Sequence, residues 1–451
     1  MNSISKNIDP SKIFIVQRSE IEDRWDPMYY RPEIANLEKK IRVVSTKKLR
    51  DYVIRISSGA TPSVKEEDKY YSNKEKGIPF LRVQNLQPNG KLALEDVKFI
   101  NEYTHENYLK RSQVSEGDLL IKITGVGRMA ITSIAPDGFV GNTNQHMVII
   151  KTKNKKTSEY LANYLNLDIV EKLASRRSTG GTRPALDYPA LKSIPIIEGI
   201  DFTVIQEAEK LKELKEQEAK TLLATIDDYL IKELSLKLPD SNNTLESRMF
   251  TTQFSDITGS RFDPFYQKTK NDKIESRIYK NIALRAIAKI EKGNSITKEK
   301  IIPGSYPVIA GGQTSPYSHD GYNFEGNCIT VSASGAYAGY VWYHTTPIFA
   351  SDCSVIRSIN EKNVLTVYIY DLLRLKQSEI YLMQQGAGQP HVYPNDLEKI
   401  KIPIVPLEKQ QEIVNHVRVI RHKAIQLQHE ANKILAQAKR QIEKGILGET
   451  L

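Results

Sequence analysis

The chain has 451 residues, with 64 Lys and Arg against 54 Asp and Glu and a formal net charge of +10 at pH 7. This length exceeds one ordinary hydrophobic core, so two or more domains are expected, and the basic excess indicates a polyanionic partner. Two cysteines, Cys328 and Cys353, exclude a disulfide framework and a Cys-x-x-Cys metal pair, and we expect both to be buried on strands. The first residues lack the apolar core of a secretion signal, and no run approaches the ~18 apolar residues of a membrane span. A soluble protein of the cytosol or nucleus is therefore expected.

The chain contains an internal duplication that begins with a short motif. RWDPMYYRPE at 24–33 returns as RFDPFYQKTK at 261–270. Asp-Pro-x-Tyr is close to the Asp/Asn-Pro-Pro-aromatic loop of nucleic-acid amino-methyltransferases, but both copies lack the second proline that stiffens that loop. We interpret the motif as a turn that anchors the first strand of each copy. The residues predicted to join the core are Trp25, Tyr29, Phe262 and Tyr266. Asp26 and Asp263 are predicted to cap or form the turn.

Further matches follow this motif in the same order along the two copies. The pairs are LRDYVIRISSG and LRAIAKIEKG, GIPFLRVQNL and SYPVIAGGQT, GDLLIKITG and GNCITVSASG, and GGTRPALDYPALKSIPII and GAGQPHVYPNDLEKIKIPIV. The offset falls from 237 at Asp26 and Asp263 to 208 at Pro195 and Pro403, so the second copy is 29 residues shorter, with deletions predicted to be spread along it. Short β-rich runs such as DLLIKIT and CITVSA, interrupted by short helical pieces, predict a mixed α/β body in each copy.

Each body is followed by a segment that predicts a long helix, at 202–234 and at 406–445. Apolar residues recur at steps of three and four in the second segment, at Val417, Ile420, Ala424, Leu427, Ala431, Ile434 and Ala438. A looser stripe runs through the first, at Ala208, Leu211, Ala219, Leu222, Ile226, Leu230 and Leu234. Gly445 and Gly448 are predicted to end the second helix. Helices of about 30 residues, each about 45 Å long, pack most simply as an antiparallel pair.

Enzyme signatures are missing from the sequence. The glycines of GVGRMA at 125–130 lie between strand-like runs without a following amphipathic helix, and there is no G-x-x-x-x-G-K-[ST] loop. The eight histidines form no HExxH and no pairing with cysteine at ligand spacing. No catalytic residue, metal ligand or cofactor site is therefore predicted in this chain, which we expect to bind rather than to catalyse.

The run GAGQPHVYPNDLEKIKIPIVPLEKQQEIV, together with the duplicated bodies and their helices, resembles the specificity subunit of type I restriction-modification systems from about residue 20 to 451. The first copy departs from it with Arg183 in place of Gln389 and without the Pro-Leu-x-x-Gln-Gln run. The resemblance implies an α+β fold of two mixed α/β target recognition domains in a pseudo-two-fold arrangement, separated by a long antiparallel two-helix coiled coil. The predicted boundaries are 1–201 for the first target recognition domain, 202–238 for the first spacer helix, 239–405 for the linker and second domain, and 406–451 for the second spacer helix.

The resemblance also implies partners. Each domain would bind one half of a bipartite site in double-stranded DNA, with half-sites about 10–12 base pairs apart. The helices would dock two adenine-N6 methyltransferase subunits that use S-adenosylmethionine, and restriction subunits that use ATP and Mg²⁺ would join them in the cytoplasm. The alternatives are a stand-alone DNA methyltransferase or nuclease with embedded recognition domains, and a structural coiled-coil adaptor. Methyl-donor binding by the isolated chain would indicate the first, and absence of salt-dependent DNA binding the second.

Candidate DNA contacts follow from side-chain chemistry, because Arg and Lys suit guanine edges, Asn and Gln suit adenine, and basic groups also contact phosphates. In the first body they are Arg82, Gln84, Asn85, Asn142, Asn144, Gln145, His146, Arg176, Arg177, Thr182 and Arg183. In the second body they are Gln313, Thr314, Ser332, Ser334, Tyr337, Gln384, Gln385, Gln389 and His391.

Overall fold

The computed structural model describes residues 9, 12–22, 24–45, 47–239, 249–258, 261–264, 267, 273–386 and 388–449. The chain divides into two compact units. The first unit is Met1–Leu214 with Glu430–Leu451, and the second is Lys215–His429. The two copies of the duplication therefore lie in different units.

The first unit contains a mixed α/β body. Its helices are α1 (Pro32–Val44), α2 (Glu67–Tyr70), α3 (Lys155–Leu165), α4 (Asp168–Arg177) and α5 (Tyr188–Lys192). Its strands are β1 (Lys47–Lys48), β2 (Arg55–Ser58), β3 (Tyr71–Ser72), β4 (Ile78–Leu81), β5 (Lys98–Ile100), β6 (Gln113–Ser115), β7 (Leu119–Lys122), β8 (Thr132–Ile134), β9 (Val140–Thr143), β10 (Met147–Lys151) and β11 (Pro195–Ile196). The sheets have the orders β2-β10-β7-β8, β3-β5-β4-β9-β6 and β1-β11, with β4 and β9 parallel and the other pairs antiparallel.

The central strands of this body are apolar runs because their sheet is covered on both faces. Leu119 and Ile121 of β7 belong to the cluster that includes Leu161 of α3 and Leu173 of α4. Leu120, between them, points to the opposite face and joins a second cluster. At roughly 25 cal/mol per Å² of buried apolar surface, such double burial is the main stabilising contribution of these strands.

Helix α6 (Thr203–Glu233) begins in the first unit and ends in the second, whose body follows it. The helices of the second unit are α7 (Phe254–Ile257), α8 (Thr366–Leu375), α9 (Gln377–Tyr381), α10 (Pro394–Leu397) and the first part of α11 (Leu407–Leu447). Its strands are β12 (Leu236–Lys237), β13 (Glu275–Ser276), β14 (Lys280–Ala283), β15 (Ala288–Lys292), β16 (Tyr306–Ile309), β17 (Ser318–His319), β18 (Cys328–Ser332), β19 (Val341–His344), β20 (Phe349–Ala350), β21 (Cys353–Ser358) and β22 (Lys401–Ile404).

The sheets of the second unit repeat those of the first. The order β15-β21-β18-β19 corresponds to β2-β10-β7-β8, the pair β14-β22 to β1-β11, and the parallel pair β16 and β20 to β4 and β9. The duplication predicted from short sequence matches is thus confirmed in strand order. Cys328 and Cys353 are buried on β18 and β21 as predicted, and burial raises the pKa of the Cys328 thiol to about 11.

Most of the length difference between the copies lies in one segment. The offset between equivalent strand residues falls from 228 at Ile78 and Tyr306 to 210 at Ile121 and Val331. Between these points the first unit inserts β5 and β6, where the second unit has β17. The deletions are therefore spread unevenly along the copy, and the largest share falls where the sheet-edge strands of the two units differ.

Within each unit, α6 packs against α11 in antiparallel fashion. In the first unit Ile205 and Ala208 share a cluster with Ala438 and, at its edge, Ile442. In the second unit Ala219 meets Ala424 and Leu427, and Ile226 and Leu230 share a cluster with Val417 and Ile413. In the second unit, residue numbers rise along α6 as those of its partners on α11 fall. The predicted antiparallel pairing is thus confirmed.

The predicted apolar stripes face these contacts with one exception. All seven residues of the α11 seam are buried or half-buried, and so are six of the seven residues predicted for the first stripe, of which Leu234 directly follows α6. Leu211 is 43% exposed, so its prediction as a seam residue is wrong. Gly448 follows α11 with φ +65°, as expected for a helix end, whereas Gly445 lies inside the helix.

Candidate nucleic-acid interface

Arg24 ties the repeated Arg-aromatic-Asp-Pro motif to the end of α4. Its Nε donates to Oδ2 of Asp26 over 2.9 Å, and its Nη1 and Nη2 donate to the carbonyl oxygens of Arg177 and Ser178, each over 2.9 Å. Asp26 also accepts a hydrogen bond from the backbone N of Tyr29 over 3.0 Å. The predicted role of Asp26 as a cap is therefore confirmed, and its carboxylate is fully engaged in the turn.

Arg261 makes the same connections in the second unit. Its Nε donates to Oδ2 of Asp263 over 2.8 Å, and Nη1 and Nη2 donate to the carbonyl oxygens of Met383 over 2.7 Å and Gln384 over 3.1 Å. We call each set, centred on Arg24 or Arg261, an arginine clamp. The two clamps explain why the chain contains the motif twice.

The aromatic residues of the motif are placed differently from the prediction. Trp25 is 85% and Phe262 is 79% exposed, so their prediction as core residues is wrong. Tyr29 is buried as predicted, with the guanidinium of Arg176 4.0 Å from its ring centre. The arginine of the motif, and not its first aromatic residue, is the partly buried side chain, because its guanidinium binds backbone carbonyl oxygens. Tyr266 lies outside the described residues.

Each clamp holds the start of a short loop that we call the clamped loop, Thr179–Ala185 in the first unit and Gln385–His391 in the second. Thr179 and Ala185 exchange two backbone hydrogen bonds of 2.8 Å, and Gln385 and His391 do the same. Gly180 and Gly386 adopt φ of +93° and +98°, a left-handed conformation that favours glycine. The described residues of the two clamped loops, which leave out Ala387, therefore share these hydrogen bonds and this glycine conformation.

Each clamped loop is joined to a second loop at the same edge of its body. Gly125, between β7 and β8, donates its backbone N–H to the carbonyl oxygen of Pro184 over 3.0 Å. Gly335, between β18 and β19, donates to Pro390 over the same distance. Thr182 and Arg183 in the first unit and Gln389 in the second are exposed on these loops.

In the first unit, further candidates follow the parallel strands β4 and β9, whose carboxyl ends lie side by side. Nε2 of Gln84 donates to Oδ2 of Asp96 over 2.7 Å, and Nη2 of Arg82 lies 3.4 Å from the same oxygen. Gln145 is exposed and accepts a hydrogen bond from Oγ1 of Thr61 over 2.6 Å. Polar side chains from two adjacent strand ends thus lie at one edge of the sheet.

His146 connects this edge to the clamped loop. Nη2 of Arg183 donates to Nε2 of His146 over 3.0 Å. Burial, and secondarily the positive charge of Arg183, lowers the pKa of His146. A neutral imidazole therefore supports the guanidinium of Arg183 at the loop tip, where it is exposed.

The structure places three asparagine candidates in buried, hydrogen-bonded positions. Asn85 accepts from the backbone N of Arg82 and donates to the carbonyl oxygen of Ala93. Asn142 pairs with His105 over 2.5 Å and donates to the carbonyl oxygen of Leu109. Asn144 is also buried, and its Oδ1 accepts from the backbone N of His146 over 3.0 Å. The amide groups of these residues are therefore engaged within the protein.

The candidates Arg176 and Arg177 both pair with the buried carboxylate of Glu38 on α1. Nη2 of Arg177 lies 2.5 Å from Oε1 of Glu38, and Nη1 of Arg176 pairs with Oε2. Burial alone would raise the pKa of Glu38, but Arg177, Arg176 and Arg42 together hold it below its ordinary value. The two arginines hold α4 on α1 instead of facing a ligand.

In the second unit, four candidates have polar groups that are already engaged. Ser332 is buried, and Ser334 donates from Oγ to Oδ2 of Asp352. Nε2 of Gln384 donates to the carbonyl oxygen of Ala338, and Nε2 of Gln385 donates to Oδ2 of Asp396, each over 2.8 Å. These residues build the loop framework, and the structure does not offer them as base contacts.

The remaining candidates of the second unit stay available to a ligand. Those exposed are Gln313, Thr314, Tyr337 and Gln389. Gln313 and Thr314 follow β16, just as Arg82 and Gln84 follow β4. His391 is half-buried at the end of the clamped loop, with its ring 6.0 Å from that of Tyr393.

Sequence reasoning missed one residue in each unit that supports the loops described above. Lys122, within the buried strand β7, donates from Nζ to the carbonyl oxygen of Val126 over 2.7 Å, and burial lowers its pKa. A lysine inside an apolar strand was the available signal. Asp352, the acceptor of Ser334, follows β20 and had no local signal.

The described residues contain neither a cluster of metal ligands nor a helix that could span a membrane. No three His, Cys, Asp or Glu side chains there come together as a metal site. No helix in the described part of the chain is long and apolar enough to cross a lipid bilayer.

The sequence of the chain is similar to those of known proteins. The family model for the type I restriction modification DNA specificity domain matches residues 44–197 and 278–437, together more than half of the chain. The chain is 33% identical over 89 residues to the type I restriction enzyme MjaVIII specificity subunit of Methanocaldococcus jannaschii, covering 19% of this chain and 20% of that protein. It is 22% identical over 143 residues to the putative type I specificity subunit S.MpnORF285P of Mycoplasma pneumoniae, covering 30% of this chain and 46% of that protein. The matches therefore span less than half the length of these relatives.

Solved structures give matches over most of the chain at low identity. The S subunit of a type I restriction-modification system from M. genitalium matches with a TM-score of 0.41 at 13% identity, over 90% of this chain and 96% of that one. A structure from a study of complex assembly and conformational transition of the type I system matches with a TM-score of 0.46 at 13% identity, over 89% of this chain and 95% of that one.

Proposed function

Because the chain belongs to the type I restriction modification DNA specificity family, we propose that it is the DNA-recognition subunit of a type I restriction-modification complex. Each mixed α/β body binds one half of a bipartite site in double-stranded DNA. The observation that carries this proposal is that two clamped loops share one hydrogen-bonding frame but expose different side chains, Arg183 in one and Gln389 in the other. Arginine suits guanine and glutamine suits adenine, so equal frames with unlike tips fit two unlike half-sites.

In this proposal the chain recognises the DNA sequence, and its partner subunits catalyse the reactions. Two methyltransferase subunits that use S-adenosylmethionine methylate adenine N6, and restriction subunits that use ATP and Mg²⁺ cleave unmodified DNA in the cytoplasm. Helices α6 and α11 dock the methyltransferases and set the spacing between half-sites. The occupied carboxylate of Asp26, bound by Arg24 and by the backbone N of Tyr29, supports the interpretation of Asp-Pro-x-Tyr as a turn and not as a methylase loop.

The test is to map methylated adenines across the genome with and without this chain. We expect a bipartite motif that disappears when the chain is deleted and returns when it is restored. Persistence of the motif without the chain would overturn the proposal, as would binding of the methyl donor by the isolated chain. Salt-dependent binding of duplex DNA by the chain with its methyltransferase subunits distinguishes recognition from a purely structural adaptor.

A further inference from the structure

We propose that Arg24 and Arg261 are positioning residues for DNA reading, and that each controls selectivity at a different half of the site. The inference rests on the proposed function and adds the residues that hold the two clamped loops in place. It follows from the repetition of one hydrogen-bond pattern in two units whose exposed loop residues differ.

The clamp acts directly before the loop. Arg24 binds the carbonyl oxygens of Arg177, the last residue of α4, and of Ser178, and the clamped loop begins at Thr179. Arg261 binds the carbonyl oxygens of Met383 and Gln384, and the second loop begins at Gln385. A rotation of either peptide group would change the direction in which the loop leaves the body.

Arginine is the side chain that suits this task. Its planar guanidinium holds five N–H donors in a rigid fork, so one group can bind a carboxylate and two carbonyl oxygens at once. In the first unit Nε and Nη2 bind Asp26 while Nη1 and Nη2 reach the two carbonyls. Lysine keeps the charge but presents three donors on one nitrogen, and it cannot span these acceptors.

The clamping arginines influence DNA through the loops and not by contact. All three donor nitrogens of Arg24 are used by the clamp, and the side chains of Arg24 and Arg261 are only 23% and 16% exposed. Loss of a clamp should therefore change which bases are accepted at one half-site. It should not weaken binding to every sequence, as the loss of a phosphate contact would.

The experiment uses the full chain assembled with its methyltransferase subunits. Arg24→Ala, Arg24→Lys, Arg261→Ala and Arg261→Lys are each used to select duplexes from a library randomised in both half-sites, and dissociation constants are measured for cognate and singly mismatched duplexes. Arg50→Ala and Arg285→Ala are matched controls, since both are exposed arginines at equivalent positions of the duplication. The lysine variants carry the test if an alanine variant does not fold.

We expect the Arg24 variants to lose about tenfold discrimination at one half-site and the Arg261 variants to lose it at the other. The lysine variants should resemble the alanine variants, and the controls should keep both preferences. Equal loss at both halves, loss at the same half from both arginines, or unchanged preference would overturn the inference. A merely structural role would reduce the active fraction without changing the ratio of cognate to mismatched dissociation constants. Failure of the proposed function would appear differently, as the absence of any bipartite preference in the unmodified protein.

Discussion

Arg421 of α11 forms an ion pair with Asp371 of α8, with Nη1 and Oδ1 2.5 Å apart. Asp371 is 1% exposed, and burial raises the pKa of its carboxyl to about 6 against the opposing influence of Arg421. The guanidinium of Arg421 also lies 4.7 Å from the ring centre of Tyr370. This contact joins the body of the second unit to the long helix within the same unit.

The pair predicts a pH dependence of stability. The folded carboxyl binds more protons than the unfolded one between the ordinary pKa of 3.8 and the raised value of about 6, so its contribution to stability improves as the pH falls through that window. Between pH 7 and pH 5 the group should add about 1 kcal/mol to the free energy of unfolding, and Asp371→Asn should lack this gain. Urea unfolding of both proteins at the two pH values measures it. Equal pH dependence in the two proteins would contradict the assignment.

Removing Arg421 from the same ion pair should change the free energy of unfolding more than removing the charge of Asp371. Arg421→Ala leaves the buried carboxyl of Asp371 without its cation, and we expect a loss of about 3 kcal/mol in the free energy of unfolding at pH 7. The loss should shrink as the pH falls from above 7 toward 6, because the carboxyl without its cation takes up a proton at a higher pH than the carboxyl beside Arg421 does. A loss that does not depend on pH would indicate that the packing of Arg421 on Tyr370 matters more than its charge.

In the first unit, Glu38 contributes a pH dependence of stability that is opposite in sign to that of Asp371. Its pKa is held below the ordinary value by Arg177, Arg176 and Arg42 despite burial, so its contribution to stability is present at neutral pH and is lost as the pH falls through its folded pKa. Glu38→Gln leaves the guanidinium groups of Arg176, Arg177 and Arg42 without their carboxylate and should cost about 3 kcal/mol at pH 7. Glu33→Gln, on the exposed side of the same helix, is the matched control and should change the free energy of unfolding little.

The parts of the fold that follow from local periodicity could be predicted from the sequence. The steps of three and four on α11 correspond to its buried face, and the apolar runs around Leu119 and Ile329 form the central strands of the two bodies. Leu211 is the exception and shows the limit of such patterns. Apolar spacing indicates which face of a helix is buried, but a residue on that face is buried only where another part of the protein packs against it. A local pattern does not contain the partner.

The candidate DNA contacts also could not be chosen from local sequence alone. Arg176 and Arg177 are predicted from residue type, but their partner Glu38 lies on α1, about 140 positions earlier in the chain. Asn85 and Asn142 are amides suited to adenine, yet their donors also bind backbone carbonyl oxygens of other segments of the protein. Whether a polar side chain faces a ligand or the backbone is decided by tertiary contacts, which residue type alone does not reveal.

Substitution of the exposed loop tips tests direct base contact. Arg183→Ala should weaken binding of the cognate duplex by about 1–3 kcal/mol and relax selectivity at one half-site, and Gln389→Ala should act on the other. Competition binding with duplexes changed in one half at a time measures both effects. Unchanged affinity and unchanged selectivity for Arg183→Ala would remove that residue from the interface.

The glycines of the clamped loops allow a test in which backbone shape changes but no hydrogen-bonding side chain is lost. A Cβ on Gly180 would lie 3.1 Å from the carbonyl oxygen of Arg183, and a Cβ on Gly386 would lie 2.8 Å from that of Gln389. Both glycines also need the left-handed conformation, which costs other residues about 1–2 kcal/mol.

Gly180→Ala should therefore distort the first clamped loop, lower selectivity at the half-site that responds to Arg183→Ala, and reduce the free energy of unfolding by about 1 kcal/mol or more. Gly181→Ala is the matched control, because φ is not left-handed there and no described atom lies within 4 Å of the added Cβ. Duplex competition and thermal unfolding measure the two effects separately. If Gly180→Ala and Gly181→Ala bind both half-sites with the same selectivity as the unmodified chain, loop shape does not carry recognition, and the exposed side chains that follow β4 and β9 become the principal contacts to test.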